Sequence, residues 1–257
     1  MNMQRRNFLT QKISANDASW KCCIMGGNDN KRRISMHPYV QALQSHFEAH
    51  RNLEKAEPMA KYMKNLFPFL GIQAPDRTKL LREFLKEHGK PKSDDIEIIV
   101  RELWSLPERE YHYIALGLLE KSIKKADESI VSLLEYMITT KSWWDTVDYL
   151  ATRLVGVLFA AHPSLIDTYI PKWMASGNMW LQRISILFQL KYKDKTDPKL
   201  LFSLMEQLSR SKEFFIQKAI GWALREYAKT APEAVLQFVE THTLAPLSKR
   251  EGLKHLK

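Results

Sequence analysis

The stretch Lys141-Ser142-Trp143-Trp144-Asp145-Thr146-Val147-Asp148 places two adjacent tryptophans and two carboxylates within about one and a half helical turns. Trp144 and Asp148 are four residues apart and share one helix face. An indole face beside a carboxylate is a place to hold a cation. In a basic chain, that pairing suggests nucleic acid together with a positively charged reaction centre. Asp145, in the first turn, fits the role of complementing the helix dipole. Asp148 is the less explained acid, and Trp143 is assigned to packing. Trp222, in Ala219-Ile220-Gly221-Trp222-Ala223, is flanked by small residues that give its ring room to protrude. Arg183, Lys191 and Arg225 lie on helices of the same kind and could form a stripe of positive charge matched to a phosphate backbone. Taken singly, each has an ordinary reading: core tryptophans, a surface arginine, cations suited to helix ends. Tyr62, by itself, reads as a half-buried tyrosine beside Phe67-Pro68-Phe69-Leu70-Gly71, with Gln73 following.

Other chemistries find no residues to carry them. His37, His46 and His112 lack metal-ligand spacing, and no glycine-rich phosphate loop or Ser/His/Asp set is visible. No metal and no cofactor is expected. Both cysteines, Cys22 and Cys23, are adjacent near the N-terminus. That argues against disulfides, cysteine-ligated zinc and thiol catalysis, and suits a reducing cytoplasm. No apolar run approaches the roughly 18 residues of a membrane span.

The elements that must position these residues read as helix after helix from His37 onward. Apolar residues recur at three- and four-residue spacing, as in Ile96, Ile99, Val100, Leu103 and Trp104. Capping residues and first-turn prolines mark starts at Ser93-Asp94-Asp95, Leu106-Pro107-Glu108 and Asp197-Pro198. The pattern predicts helices at 37–50, 53–67, 75–89, 93–105, 107–123, 127–140, 143–161, 164–175, 178–193, 197–208, 212–229 and 231–242, with another beginning near 246. Leu181-Gln182-Arg183 aligns with Ile216-Gln217-Lys218 at an offset of 35, and Trp143-Trp144 precedes Met179-Trp180 by 36. Helix pairs repeating at that period predict an all-α, helical-repeat solenoid, because no single pair can bury its own apolar face. Equivalent helix starts would then line one surface, which is how distant positions could converge on one site.

The net charge of +10 is uneven. Residues 1–35 hold seven Lys/Arg against Asp17 and Asp29, a net of 7 − 2 = +5, leaving +5 for residues 36–257. Arg5-Arg6-Asn7-Phe8-Leu9 looks like a twin-arginine export signal, but the polar run Thr10 to Asp17 replaces the required apolar stretch, so export is rejected. Residues 1–35 are expected to be a disordered basic extension, with Met36 opening a single domain over 36–257.

The segments Ser142-Trp143-Trp144-Asp145-Thr146-Val147-Asp148, Trp180-Leu181-Gln182-Arg183, Phe188-Gln189-Leu190-Lys191-Tyr192-Lys193 and Lys212 through Trp222 resemble the AlkD-type alkylpurine DNA glycosylases. So do Met59-Ala60-Lys61-Tyr62-Met63-Lys64 and Gly71-Ile72-Gln73. The resemblance runs from about Met36 to the end. It implies a HEAT-like solenoid whose concave, basic surface binds duplex DNA, and cleavage of the glycosidic bond of cationic N3- and N7-alkylated purines. It implies Asp148 as the catalytic carboxylate and Trp144 and Trp222 as its aromatic flank. It further implies Arg183 beside the lesion, Lys191 and Arg225 on the backbone, and Tyr62 and Gln73 near the opposite strand. The partner expected is double-stranded DNA containing alkylated purines, met by a monomer in a bacterial cytoplasm and at the nucleoid during repair. The rival reading is a non-catalytic helical scaffold for nucleic acid or protein; a third is a relative that binds DNA but has lost activity.

Overall fold

A computed structural model of the chain describes residues 36–256; the expectations for residues 1–35 lie outside them. The described residues form α-helices joined by short turns, without a strand. In order they are α1 (Pro38–Glu48), α2 (Leu53–Tyr62), α3 (Ala74–His88), α4 (Ile96–Ser105), α5 (Arg109–Glu120), α6 (Val131–Thr139) and α7 (Trp144–Tyr149). There follow α8 (Gly156–Ala161), α9 (Ser164–Ala175), α10 (Met179–Leu187), α11 (Pro198–Gln207), α12 (Phe214–Tyr227), α13 (Pro232–Thr241) and α14 (Pro246–Gly252). None of them is long and apolar enough to cross a membrane.

The all-helical repeat architecture expected from the sequence is present, and its period is sharper than the sequence suggested. Helices α5, α7, α10 and α12 begin at Arg109, Trp144, Met179 and Phe214, so each starts 35 residues after the last. They pack in that order, α5 on α7, α7 on α10, α10 on α12, and α14 closes the row against α12. Helices α4, α6, α9 and α11 back them with apolar faces such as Ile99, Val100, Leu103 and Trp104, all fully buried. Neighbouring repeats are also tied by polar contacts. The Trp104 indole donates to Thr140 Oγ1 (3.1 Å), and the Trp173 indole donates to Glu135 Oε1 (2.7 Å). A buried indole N–H left unpaired would cost more than such a bond contributes, so these ties fix the register of one repeat on the next.

Several helix starts follow their caps. Asn178 Oδ1 accepts from the Trp180 and Leu181 amides at 2.9 and 3.2 Å, and Asp197 Oδ1 accepts from Leu200 N at 3.1 Å ahead of Pro198. Three expected helices differ in the structure. The 53–67 helix stops at Tyr62, where Lys64 and Asn65 turn into the left-handed region. The 178–193 helix stops at Leu187, and Lys193 takes a φ of 55° in the turn that follows. The 143–161 helix is continuous but widens into a π-helical turn over Leu150–Val155, where the Gly156 amide donates to Ala151 O, five residues back. Such a turn shifts the phase of everything beyond it relative to α7. Gly156 is required there: a Cβ would stand 2.4 Å from Phe188 O on α10's far end.

Candidate active site

The 35-residue register gives the fifth position of each row helix a common address. Those positions hold Tyr113, Asp148, Arg183 and Lys218, each 35 residues from the next. Two adjacent addresses, Asp148 and Arg183, meet. Arg183 donates from Nε to Asp148 Oδ1 (2.7 Å) and from Nη2 to Asp148 Oδ2 (2.9 Å), a two-pronged pair between α10 and α7. Its remaining arm donates to the carbonyl of Phe215 at the start of α12. Arg183 is therefore buried, with 5% of its side chain exposed, and its fork is aimed at Asp148. It is not an open surface cation in a stripe with Lys191, as the sequence suggested, although it lines one cavity with Arg225. Its neighbours explain the burial: Trp143, Trp180 and Phe215 form an aromatic cluster, with Trp143 5.2 Å from Phe215 and Trp180 5.0 Å from it, centroid to centroid. Trp143 packs, as expected, although its indole N–H is buried without an acceptor among the described residues.

The two aspartates of the motif have different fates. Asp145 is held by Arg109, whose Nε and Nη2 donate to Oδ2 and Oδ1 at 3.0 and 2.7 Å, and by the Tyr113 hydroxyl, which donates to Oδ2 at 2.6 Å. Arg109 is fully buried and also donates to Thr146 Oγ1 and to Lys141 O. Asp145 is thus a clamp between repeats; complementing the helix dipole is the lesser part of its role. Lys141 strengthens the clamp by donating its ammonium to the carbonyls of Ser105 and Leu106 at 2.7 and 2.6 Å. Asp148 keeps one side open. It lines a cavity of about 320 Å³ together with Trp144, Trp222, Phe215, Lys218 and Arg225. Burial pushes its carboxyl above the usual Asp range, while the bonds from Arg183 and its positive charge oppose that rise and the nearby Asp145 adds to it.

The other expected residues divide. Trp144 and Trp222, both half-buried, face that cavity. Tyr62 stands edge-on to Trp144, 6.2 Å between centroids at 78°, and is 69% exposed, not half-buried as its sequence context suggested. Gln73 is exposed at the entry to α3. The loop before it is fixed by buried Glu110, whose carboxylate accepts from the amides of Leu70, Gly71 and Ile72, each at 3.0 Å. Gly71 is needed in that loop, with φ of 88° and Asn52 O where a Cβ would lie. Lys191 is exposed in the turn beyond α10 and does not line the cavity. Arg225 does line it, but its Nη1 donates to Glu251 Oε2 at 3.0 Å. The sequence reading missed Glu251, Lys218, Phe214 and Phe215. Lys218 was legible, since it is the next address after Arg183. Glu251 left no signal, because α14 meets α12 only in three dimensions. Among the described residues no cluster of His, Cys, Asp or Glu could hold a metal ion.

The profile of the DNA alkylation repair enzyme family matches residues 43–256, a span that includes every residue of this site. The chain belongs to that family. It is an enzyme of DNA alkylation repair, and DNA is its substrate. A solved structure from Enterococcus faecalis, described as a predicted DNA alkylation repair enzyme, is similar to it at 35% identity and a TM-score of 0.74, with 80% of this chain and 96% of that one covered. A search of the curated proteins gives no match.

Proposed function

We propose that the protein is a DNA glycosylase that releases cationic N3- and N7-alkylated purines from duplex DNA, with Asp148 as the catalytic carboxylate. One observation carries this reading. Asp148 is the motif's only aspartate with an open side, and that side faces a cavity walled by Trp144 and Trp222. A purine alkylated at N3 or N7 is positively charged and leaves without a general acid. As the C1′–N bond breaks, its electron pair goes to the base, which becomes neutral, and the sugar becomes an oxocarbenium-like cation. Asp148 stabilises that cation and orients the water that adds to C1′. The negative ring faces of Trp144 and Trp222 contribute about 0.5–2 kcal/mol each where water is excluded. Arg183 positions the carboxylate and favours its ionised form against the burial that raises its pKa.

On this reading the charge of the base matters more than its shape, and neutral purines are poor substrates. The rest of the assignment follows in the same terms. A HEAT-like concave face binds the duplex, Lys191 and Arg225 meet phosphates, Tyr62 and Gln73 approach the opposite strand, and the protein acts as a monomer. Incubation with a duplex containing one N7-methylguanine tests the proposal. Free N7-methylguanine should accumulate with wild-type protein and not with Asp148→Asn. Binding without base release by the wild type would overturn it in favour of a non-catalytic DNA-binding scaffold.

A further inference from the structure

The cavity that holds Asp148 contains a second carboxylate. Glu251, on α14, accepts from Arg225 Nη1 at 3.0 Å and lies 3.3 Å from Lys218 Nζ. Both cations come from α12, one on each side of Trp222 along the chain. The three charged groups share the cavity wall with Asp148 and Trp144. The backbone holds this arrangement in place. Gly221 brings α14 so close that a Cβ on it would lie 2.6 Å from Glu251 Cβ and 3.0 Å from Ser248 O. The Ser248 hydroxyl also donates to Gln217 O at 3.0 Å, fixing α14 from its N-terminal side. Glu251 thus cannot withdraw far from Lys218 and Arg225.

We infer that Glu251 is a specificity-determining residue: an internal counter-ion that occupies Lys218 and Arg225 until DNA phosphate replaces it. The inference rests on the glycosylase reading for its substrate and on the three-group geometry for its mechanism. A phosphate that takes Lys218 and Arg225 leaves Glu251 as an uncompensated anion in the cavity. Over an undamaged base pair, nothing repays that loss. Beside a cationic purine, the freed carboxylate meets a positive charge, so the exchange costs less. Glu251 therefore weakens binding to undamaged duplex more than binding to a lesion. Non-specific affinity for DNA is set chiefly by cations that neutralise phosphates, so a built-in competitor for two of them acts directly on that term.

Glu251→Gln keeps the side-chain volume against Gly221 and removes the charge. It should bind undamaged duplex severalfold more tightly. The slope of log affinity against log salt should steepen by up to about one for each cation released. The gain should be smaller on a duplex carrying N7-methylguanine on a 2′-fluorinated sugar, which resists cleavage, so the ratio of the two affinities narrows. In a Lys218→Gln/Arg225→Gln background the same change should have no effect on affinity. Glu251→Asp, which keeps the charge but shortens its reach, provides a second reading in the same direction should the Gln variant unfold. Weaker or unchanged binding with an unchanged salt slope would overturn the inference, leaving Glu251 as a structural brace that orients the two cations. So would a gain that persists without Lys218 and Arg225. A wild-type protein that releases no free base would sink the glycosylase reading alone, because the undamaged-duplex measurements stand without it.

Discussion

Replacing Arg183 with alanine separates the role its geometry indicates from the phosphate contact suggested by its sequence position. The change removes two charge-assisted bonds to Asp148 and one to Phe215 O. The pair is enclosed, with 5% of the arginine and 19% of the aspartate side chain exposed. Opposite charges about 4 Å apart attract by about 4 kcal/mol at an effective dielectric of about 20, and stranding one member of a buried pair costs about 3–5 kcal/mol. Water can reach Asp148 through the open cavity, so the lower end applies, about 3 kcal/mol. For a domain of this size that is a fall in Tm of about 6–12 °C. The effect on chemistry has a definite sign. Burial already raises the Asp148 carboxyl and Arg183 opposes it, so losing Arg183 raises it further. On the glycosylase reading, base release needs the carboxylate and should be lost as pH falls through its pKa. The acid limb of the single-turnover pH profile should therefore move to higher pH. The salt dependence of binding undamaged duplex should stay as in wild type. Arg183→Lys should fall between, because it retains charge but loses the fork. An unmoved acid limb with wild-type Tm would refute the coupling. A salt slope lowered by about one would instead restore Arg183 to the phosphate contacts.

Asp148→Asn should nearly abolish base release while leaving DNA binding in gel-shift titrations close to wild type; it should also lower Tm, since Arg183 stays buried without its anion. Gly156→Ala should cost about 1–3 kcal/mol in denaturant unfolding, as its methyl would meet Phe188 O at 2.4 Å; an unaltered midpoint would mean the helices slide apart freely. His112 is fully buried and accepts from Arg109 at Nδ1 (3.1 Å), so its proton sits on Nε2 and donates to Leu106 O. Burial first, then the charges of Arg109 and Lys141, push its pKa from 6.5 down to about 3. Its contribution to stability is present above pH 6.5 and is lost as pH falls toward 3, because the unfolded chain takes up the proton first. His112→Gln should flatten the acid side of the stability–pH curve by up to about 1.4 kcal/mol per pH unit; an unchanged slope would place the titration elsewhere.

The sequence by itself determined the layers and their period. The three- and four-residue spacing of residues such as Ile99, Val100, Leu103 and Trp104 specifies helices with one apolar face, and that face must be covered by the next repeat. It also singled out Asp148 and the two tryptophans, because an unexplained acid beside a tryptophan at a helix start, and a tryptophan flanked by small residues, are local facts. The partners of the charges were not local facts. Asp145 and Asp148 are three residues apart, yet one is sealed by an arginine 36 residues earlier and the other is held by an arginine 35 residues later. Only stacking chooses between them, since a helix phase error of one residue would redirect either side chain. The π-helical turn at Leu150–Val155 is such a phase shift, and no spacing in the chain announces it. Glu251 depends on tertiary structure entirely: Gly221 lets α14 approach, and that approach turns an unremarkable glutamate into the partner of Lys218 and Arg225. Periodicity is encoded along the chain, whereas the pairing of buried charges is decided by which helices touch.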